Sequence, residues 1–268
     1  MTYEKNLNIA CGNSYVVSNE WVNLDFEPVT EDVLQCDILK DLPFKENSIS
    51  NVYCSHFVEH VPDNELNELF KNFYKILKPG GRLRIVTPDF NEMCKSYIKA
   101  VDENDKDTSS FIKLEILDQL VRIKEGGQLR KKFKSYFKTN NQKMIELVKF
   151  RTGYDVKKYE VNQTKNNIKP LNEKLYIKLR TKYIKLVLNF LPKNFRSQNV
   201  TYLKTGENHK WIWDFDDLKQ SLSEFGFCNI SKETLNSSGI KNFPFELDIH
   251  DGKPKKGMQS MYVEAQKK

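Results

Sequence analysis

The sequence predicts an α/β protein, with a mostly parallel sheet interrupted by a basic, mainly helical insertion. Three observations predict it. Short apolar runs, several ending in an acid, recur through the first ninety residues with turn residues between them. A helical apolar stripe and a further strand follow. From residue 93 the rhythm gives way to Lys-, Asn- and Tyr-rich stretches, and it returns near residue 211. The expected division is a sheet domain from 1–92 and 211–268, with an insertion at 93–210.

In order, LNIA (7–10) reads as the first strand and runs into Cys11-Gly12-Asn13. WVNLD (21–25) and DVLQCD (32–37) are the second and third, each closed by an acid. SNVYCS (50–55) is the fourth. Residues 63–77 carry Leu66, Leu69, Phe70, Phe73, Ile76 and Leu77 at helical spacing, with Asp63 as an N-cap and KPGG (78–81) as the stop. RLRIVTPD (82–89) is a fifth strand. Within the insertion, amphipathic stretches lie around 111–124, 141–150 and 174–191. After it, Phe215, Leu218, Leu222 and Phe225 form a helical stripe ended by Gly226, and 227–235 and 260–266 are closing strands.

At 268 residues and 39% hydrophobic the chain is long enough for a sizeable core. No apolar run reaches the roughly 18 residues of a membrane span, and no signal-peptide layout precedes Leu7. The five cysteines are scattered without a Cys-x-x-Cys pair, which predicts reduced thiols and a cytoplasmic protein. The net charge of +7 is uneven: residues 91–210 hold 27 Lys and Arg against 13 Asp and Glu, and the remainder is net acidic. That asymmetry predicts two regions with different tasks.

One motif demands a decision. SHFVEH (55–60) contains His-x-x-Glu-His, a zinc-hydrolase signature in which two histidines on a helix bind metal. Here His56 directly follows a strand, Pro62 starts the next helix only after His60, and no third ligand stands nearby. The segment therefore reads as a turn after strand four, with no metal expected.

A strand ending in a glycine turn, followed by strands that end in acids, is the layout of a nucleoside-binding doubly wound sheet, with its ligand at the strands' carboxyl ends. LNIACGN, WVNLD, CDILKDLPF, the strand into SHFVEH, and LKPGGRLRIVTPD stand in that order. Together they resemble the class I S-adenosylmethionine-dependent methyltransferases, in particular the small ones associated with bacterial surface-polysaccharide gene sets. The likeness covers about 1–92 and, more loosely, 209–268. Two features depart from the family: a single glycine after strand one, and a very short link to strand two.

The resemblance implies a Rossmann-like, mostly parallel sheet of seven strands. It also implies S-adenosylmethionine as cofactor, with S-adenosylhomocysteine as product. Ala10, Cys11, Gly12 and Asn13 would line its methionine part, with backbone N–H groups toward the carboxylate. Asp25 would accept from both ribose hydroxyls, Asp37 and Ile38 would hold the adenine, and Ser55 and His56 would close the site. Methyl transfer needs an aligned acceptor and a base. The candidates are His56, with Glu59 or His60 orienting it or serving as base, and His209 approaching from the insertion. The basic insertion suggests a small anionic acceptor, such as a nucleotide-activated or phosphorylated sugar, or contact with an acidic membrane surface. RNA ranks below these because no RNA-binding module signature is present. The expected reaction is O-methylation in surface-polysaccharide assembly. The alternatives are an RNA or nitrogen acceptor, and a non-catalytic S-adenosylmethionine-binding adaptor.

Overall fold

A computed structural model describes residues 5–40, 42–158, 171–200 and 206–268. Seven strands form one sheet: β1 (Asn6–Ile9), β2 (Trp21–Asp25), β3 (Val33–Gln35), β4 (Ile49–Ser55), β5 (Leu77–Pro88), β6 (Phe227–Glu233) and β9 (Ser260–Lys267). Their order is β3-β2-β1-β4-β5-β9-β6. β1 to β5 pair in parallel, and β9 runs antiparallel between β5 and β6. A two-residue ribbon, β7 (Ile249–His250) with β8 (Lys253–Pro254), lies apart. This is the Rossmann-like, mostly parallel sheet of seven strands that the sequence predicts.

One face of the sheet is covered by α1 (Asp63–Ile76) and α8 (Phe215–Glu224). The predicted stripe of α1 is what it buries: Leu66, Leu69, Phe70, Phe73 and Ile76 pack with Leu7, Ile9, Val52, Leu83 and Ile85 from the strands. Phe70 and Phe73 are wholly buried, and truncating either to Ala would cost about 3–5 kcal/mol. Asp63, expected as the N-cap, is instead the first helical residue, because Pro62 holds the extended cap conformation. KPGG does not form a separate stop. It lies inside β5, which starts directly where α1 ends.

The opposite face is covered by residues 234–248 rather than by a helix. Trp21, Tyr53, Val86 and Tyr262 from the sheet pack there against Ile240, Phe243 and Leu247. β5 alternates its side chains, so Arg84 points into this layer, fully buried. Its Nε and Nη2 donate to Asp248, and its Nη1 donates to Glu264 and to the Ser237 carbonyl. The guanidinium also lies over Phe243 and Tyr262.

The short link 10–20 contains no helix. Two buried asparagines hold it instead. Asn8 donates to the Ser14 carbonyl and to Asn23. The Asn23 side chain accepts from the Val16 N–H and donates to the Val16 carbonyl. Amide side chains thus satisfy backbone groups that a helix would have paired.

The insertion begins as soon as β5 ends, with α2 (Phe90–Asp102), then α3 (Lys106–Val121), α4 (Gly127–Lys138) and α5 (Gln142–Thr152). Asp89, Asp105 and Asn141 cap α2, α3 and α5 through their side chains. Phe111, Ile112, Leu129, Phe133, Met144, Ile145 and Val148 give these helices a core of their own. Further helices α6 (Leu171–Asn189) and α7 (Lys193–Asn199) precede the return to the sheet. No helix among the described residues is long and apolar enough to cross a membrane, and all five cysteines are unpaired.

Candidate active site

β1 to β3 step one way across the sheet and β4 to β5 the other, so the order reverses between β1 and β4, the position where such sheets bind ligands. Ile9 pairs with Leu24 and with Cys54. The carboxyl ends carrying Ala10, Asp25 and Ser55 are therefore neighbours. Ala10 and Gly12 have φ of +52° and +51°, and His56 has +50°. For Ala10 and His56 this left-handed conformation is unfavourable, and strain of this kind concentrates at functional sites.

Gly12 is required by its backbone and not by packing: a Cβ there would meet nothing within 4 Å. The space in front of it is open. Its N–H donates to Asp25 Oδ2 at 2.8 Å, and the Glu27 N–H donates to Oδ1 at 2.9 Å. A carboxylate has about four lone-pair sites, so Asp25, half-buried, keeps acceptor capacity after both bonds. Cys11 is buried, and its thiol is pushed up to about 12 by burial and by the Asp25 charge. Asn13 is exposed. The N–H groups of Cys11, Gly12 and Ser14 are taken by the Leu24 carbonyl, Asp25 and the Cys11 carbonyl, so the turn is closed on itself beside the strand-end acid. Asp37 is half-buried and ion-paired with Lys40 at 3.0 Å. Ile38 is buried in the main core beside Leu42.

SHFVEH is a turn, as expected. Ser55 ends β4, and Val58–His60 make one turn of 3₁₀ helix. The His56 N–H donates to the Val86 carbonyl. Its Nε2 lies 3.0 Å from Ser260 Oγ and its Nδ1 3.2 Å from Glu59 Oε1. The second contact is bent, and Oε1 makes no well-aligned hydrogen bond. Thr87 Oγ1 donates to Oε2. Glu59 is wholly buried. Burial by itself would raise its pKa, but the close contact with His56 and the charges of His56, His60 and His209 prevail and hold it at about 2.

His209 arrives from the far end of the insertion. Its N–H donates to the Gln119 carbonyl, its Nε2 lies 2.7 Å from the Gln119 side-chain nitrogen, and its ring meets that of His60 edge-on at 4.7 Å. Burial lowers its pKa to about 4, with Glu59 opposing and His60, His56 and Arg122 assisting. The four candidate residues His56, Glu59, His60 and His209 therefore form one cluster, although 149 residues separate His60 from His209.

A cavity of about 370 Å³ opens beside this cluster, between the sheet and α3, α4 and α5. His56, Ser260 and His209 line it together with Gln119, Arg122, Leu129, Arg130, Phe133 and Arg151. Arg151 is 4% exposed. Its Nε donates to Glu115 at 2.7 Å, and its Nη2 has no hydrogen-bond partner among the described residues. The sequence carried no signal for Arg122, Arg151 or Ser260, which are ordinary polar residues far from any motif, whereas Arg130 opens the basic run RKKFKSYFK (130–138). Lys131, Lys132 and Lys134, in the densest run of charge, are exposed and do not line the cavity.

Residues 7–85 match the methyltransferase-domain family. No curated protein matches the chain. Among solved structures it is similar to an S-adenosylmethionine-dependent methyltransferase from Archaeoglobus fulgidus, at 14% identity and a TM-score of 0.39 over 98% of this chain and 86% of that one. A second such enzyme, from Thermotoga maritima, gives 13%, 0.39, 98% and 82%. Geranyl diphosphate C-methyltransferase from Streptomyces coelicolor, solved with S-adenosyl-L-homocysteine, gives 15% and 0.27 over 33% of this chain and 40% of its own. Residues 7–85 thus match a methyltransferase domain, and they lie within the mostly parallel sheet of order β3-β2-β1-β4-β5-β9-β6.

Proposed function

We propose that the enzyme methylates a hydroxyl oxygen of a small polar acceptor, a sugar or another phosphorylated intermediate of surface-glycan assembly, held in the cavity between sheet and insertion. The observation that carries this reading is His56 in the cavity wall, with Glu59 behind it. Gly12 and its neighbours, Asp25 and Asp37 would hold the cofactor at the strand ends, where it would supply a methyl group on an already activated sulfonium. The protein's remaining work is to orient the acceptor and take its proton. With Nδ1 protonated toward Glu59, His56 presents Nε2 as an acceptor to the cavity. Ser260 Oγ, 3.0 Å from Nε2, holds the place that the acceptor's hydroxyl oxygen would take.

The volume suits one sugar-sized group. Arg151 Nη2 would donate to an acceptor oxygen, and the resemblance to surface-polysaccharide methyltransferases supports a sugar. Charge favours a phosphorylated acceptor less through the exposed lysines than through the arginines in the wall. A panel of phosphorylated and nucleotide-activated sugars, incubated with enzyme and cofactor and read by mass, should yield one product heavier by a methyl group. His56→Ala should abolish that product. Methylation of RNA with no sugar product, or full activity in His56→Ala, would overturn the reading.

A further inference from the structure

Glu59, His60 and His209 each offer one ligand atom, and the three atoms lie within 4.8 Å of one another. The sequence argues against a metal at His-x-x-Glu-His because His56 follows a strand, Pro62 opens the helix only after His60, and no third ligand stands nearby. The fold brings one. The Lys210 and Trp211 N–H groups donate to the Glu59 carbonyl, at 2.7 and 3.3 Å, and His60 Nδ1 lies 3.1 Å from the Asn208 carbonyl. These bonds fasten the segment bearing His209 against the turn bearing Glu59 and His60.

The same contacts fix the rings in a way that suits ligation. A carbonyl can only accept, so Nδ1 of His60 carries the proton and Nε2 keeps its lone pair. Ligating histidines are commonly held by this kind of bond on the other nitrogen. The Gln119 amide closes off Nε2 of His209. An amide nitrogen there donates to Nε2 and leaves the proton on Nδ1, so ligation through Nδ1 requires the Gln119 amide turned with its oxygen accepting from Nε2. Glu59 is buried, and its Oε1 lacks a well-aligned hydrogen bond among the described residues. A buried carboxylate oxygen without a good donor is costly, and a cation would satisfy it.

We propose that Glu59, His60 and His209 bind one divalent transition-metal ion beside the cavity. Two imidazoles and one carboxylate suit zinc, cobalt or iron(II) rather than magnesium or calcium, which prefer all-oxygen sites. Three protein ligands leave positions open for the oxygen of a water or of an acceptor hydroxyl, as catalytic sites do. The site shares Glu59 with the acceptor reading above, and because metal binding is measured without turnover the two can fail separately.

The test uses the full chain, freed of metal by a chelator and titrated with cobalt(II), whose visible d–d absorption reports coordination by nitrogen and oxygen. Wild type should bind about one equivalent, and zinc should displace it. Glu59→Gln and His60→Ala should each weaken binding at least tenfold, with folding checked by far-UV circular dichroism. His250→Ala, at an exposed histidine, should leave binding unchanged. Absence of stoichiometric cobalt binding by wild type overturns the proposal. So does unchanged binding in folded Glu59→Gln or His60→Ala. If His60→Ala fails to fold, the wild-type titration and Glu59→Gln decide.

Discussion

Arg84 and Arg151 are both buried arginines paired with buried carboxylates, one in the sheet and one in the insertion. Arg84 uses all three of its nitrogens, on Asp248, Glu264 and the Ser237 carbonyl, and lies over Phe243 and Tyr262. Arg151 spends Nε on Glu115, while its Nη2 is buried in the cavity wall without a partner among the described residues. A saturated buried cation fastens one layer to another. An unsaturated one facing a cavity is equipped to hold something that is not part of the chain. Asp25 belongs with the second kind, since its carboxylate keeps acceptor capacity after binding two N–H groups.

The largest expected effect is at Arg84. Arg84→Ala leaves Asp248 only Tyr53 and leaves Glu264 only Ser238, the Gly239 N–H and the more distant Arg82, and removing the buried cation of such a cluster costs about 3–5 kcal/mol. Chemical denaturation should show that loss, and a loss under 1 kcal/mol would mean that Arg84 is not what fastens this layer.

Asp25→Ala should act on ligand binding. Losing a charged acceptor for two hydroxyls costs about 2–3 kcal/mol, roughly 30- to 150-fold in Kd. Calorimetry with S-adenosylhomocysteine on the folded variant checks this, and wild-type affinity would remove Asp25 from the cofactor site.

Arg151→Lys sharpens the contrast, because it keeps a cation for Glu115 and deletes the Nη2 donor. Its stability should stay near wild type. The acceptor KM should rise roughly tenfold, the equivalent of one hydrogen bond of about 1.4 kcal/mol, with cofactor affinity unchanged. An unchanged KM would reduce Arg151 to a structural pair like Arg84.

The smallest effect concerns pH. Asp105 caps α3, and hydrogen bonds from Lys143 and Thr108 hold its carboxyl at about 2 in the fold, below the ordinary 3.8. A depressed folded pKa contributes stability that is present above the unfolded value and is lost as pH falls through the folded one. The difference in melting temperature between wild type and Asp105→Ala should therefore be constant above pH 4 and shrink toward pH 2. A constant difference down to pH 2 would show that the carboxylate charge contributes nothing to the cap.

Much of this was legible from residues alone. Apolar runs and strand-end acids announced the parallel sheet, because side-chain burial has a period that the chain displays directly. The stripe of α1 was visible at every position, and so was the break at SHFVEH, where Pro62 cannot continue a turn of helix begun at His56. The helix-free link was hinted at only by its length, since nothing marked Asn8 and Asn23 as its supports.

The sequence by itself determined the sheet, the glycine turn facing Asp25 and the basic character of the insertion, all of which follow from local backbone preference and the spacing of apolar residues. Only the tertiary structure decided which polar residues share a site. His209 meets His60 and Glu59, Ser260 meets His56, and Arg151 turns inward while Lys131, Lys132 and Lys134 stay outside. These partners lie up to 204 residues apart. Their meeting depends on how the insertion docks on the strand ends, and a contact between distant side chains leaves no periodic trace along the chain.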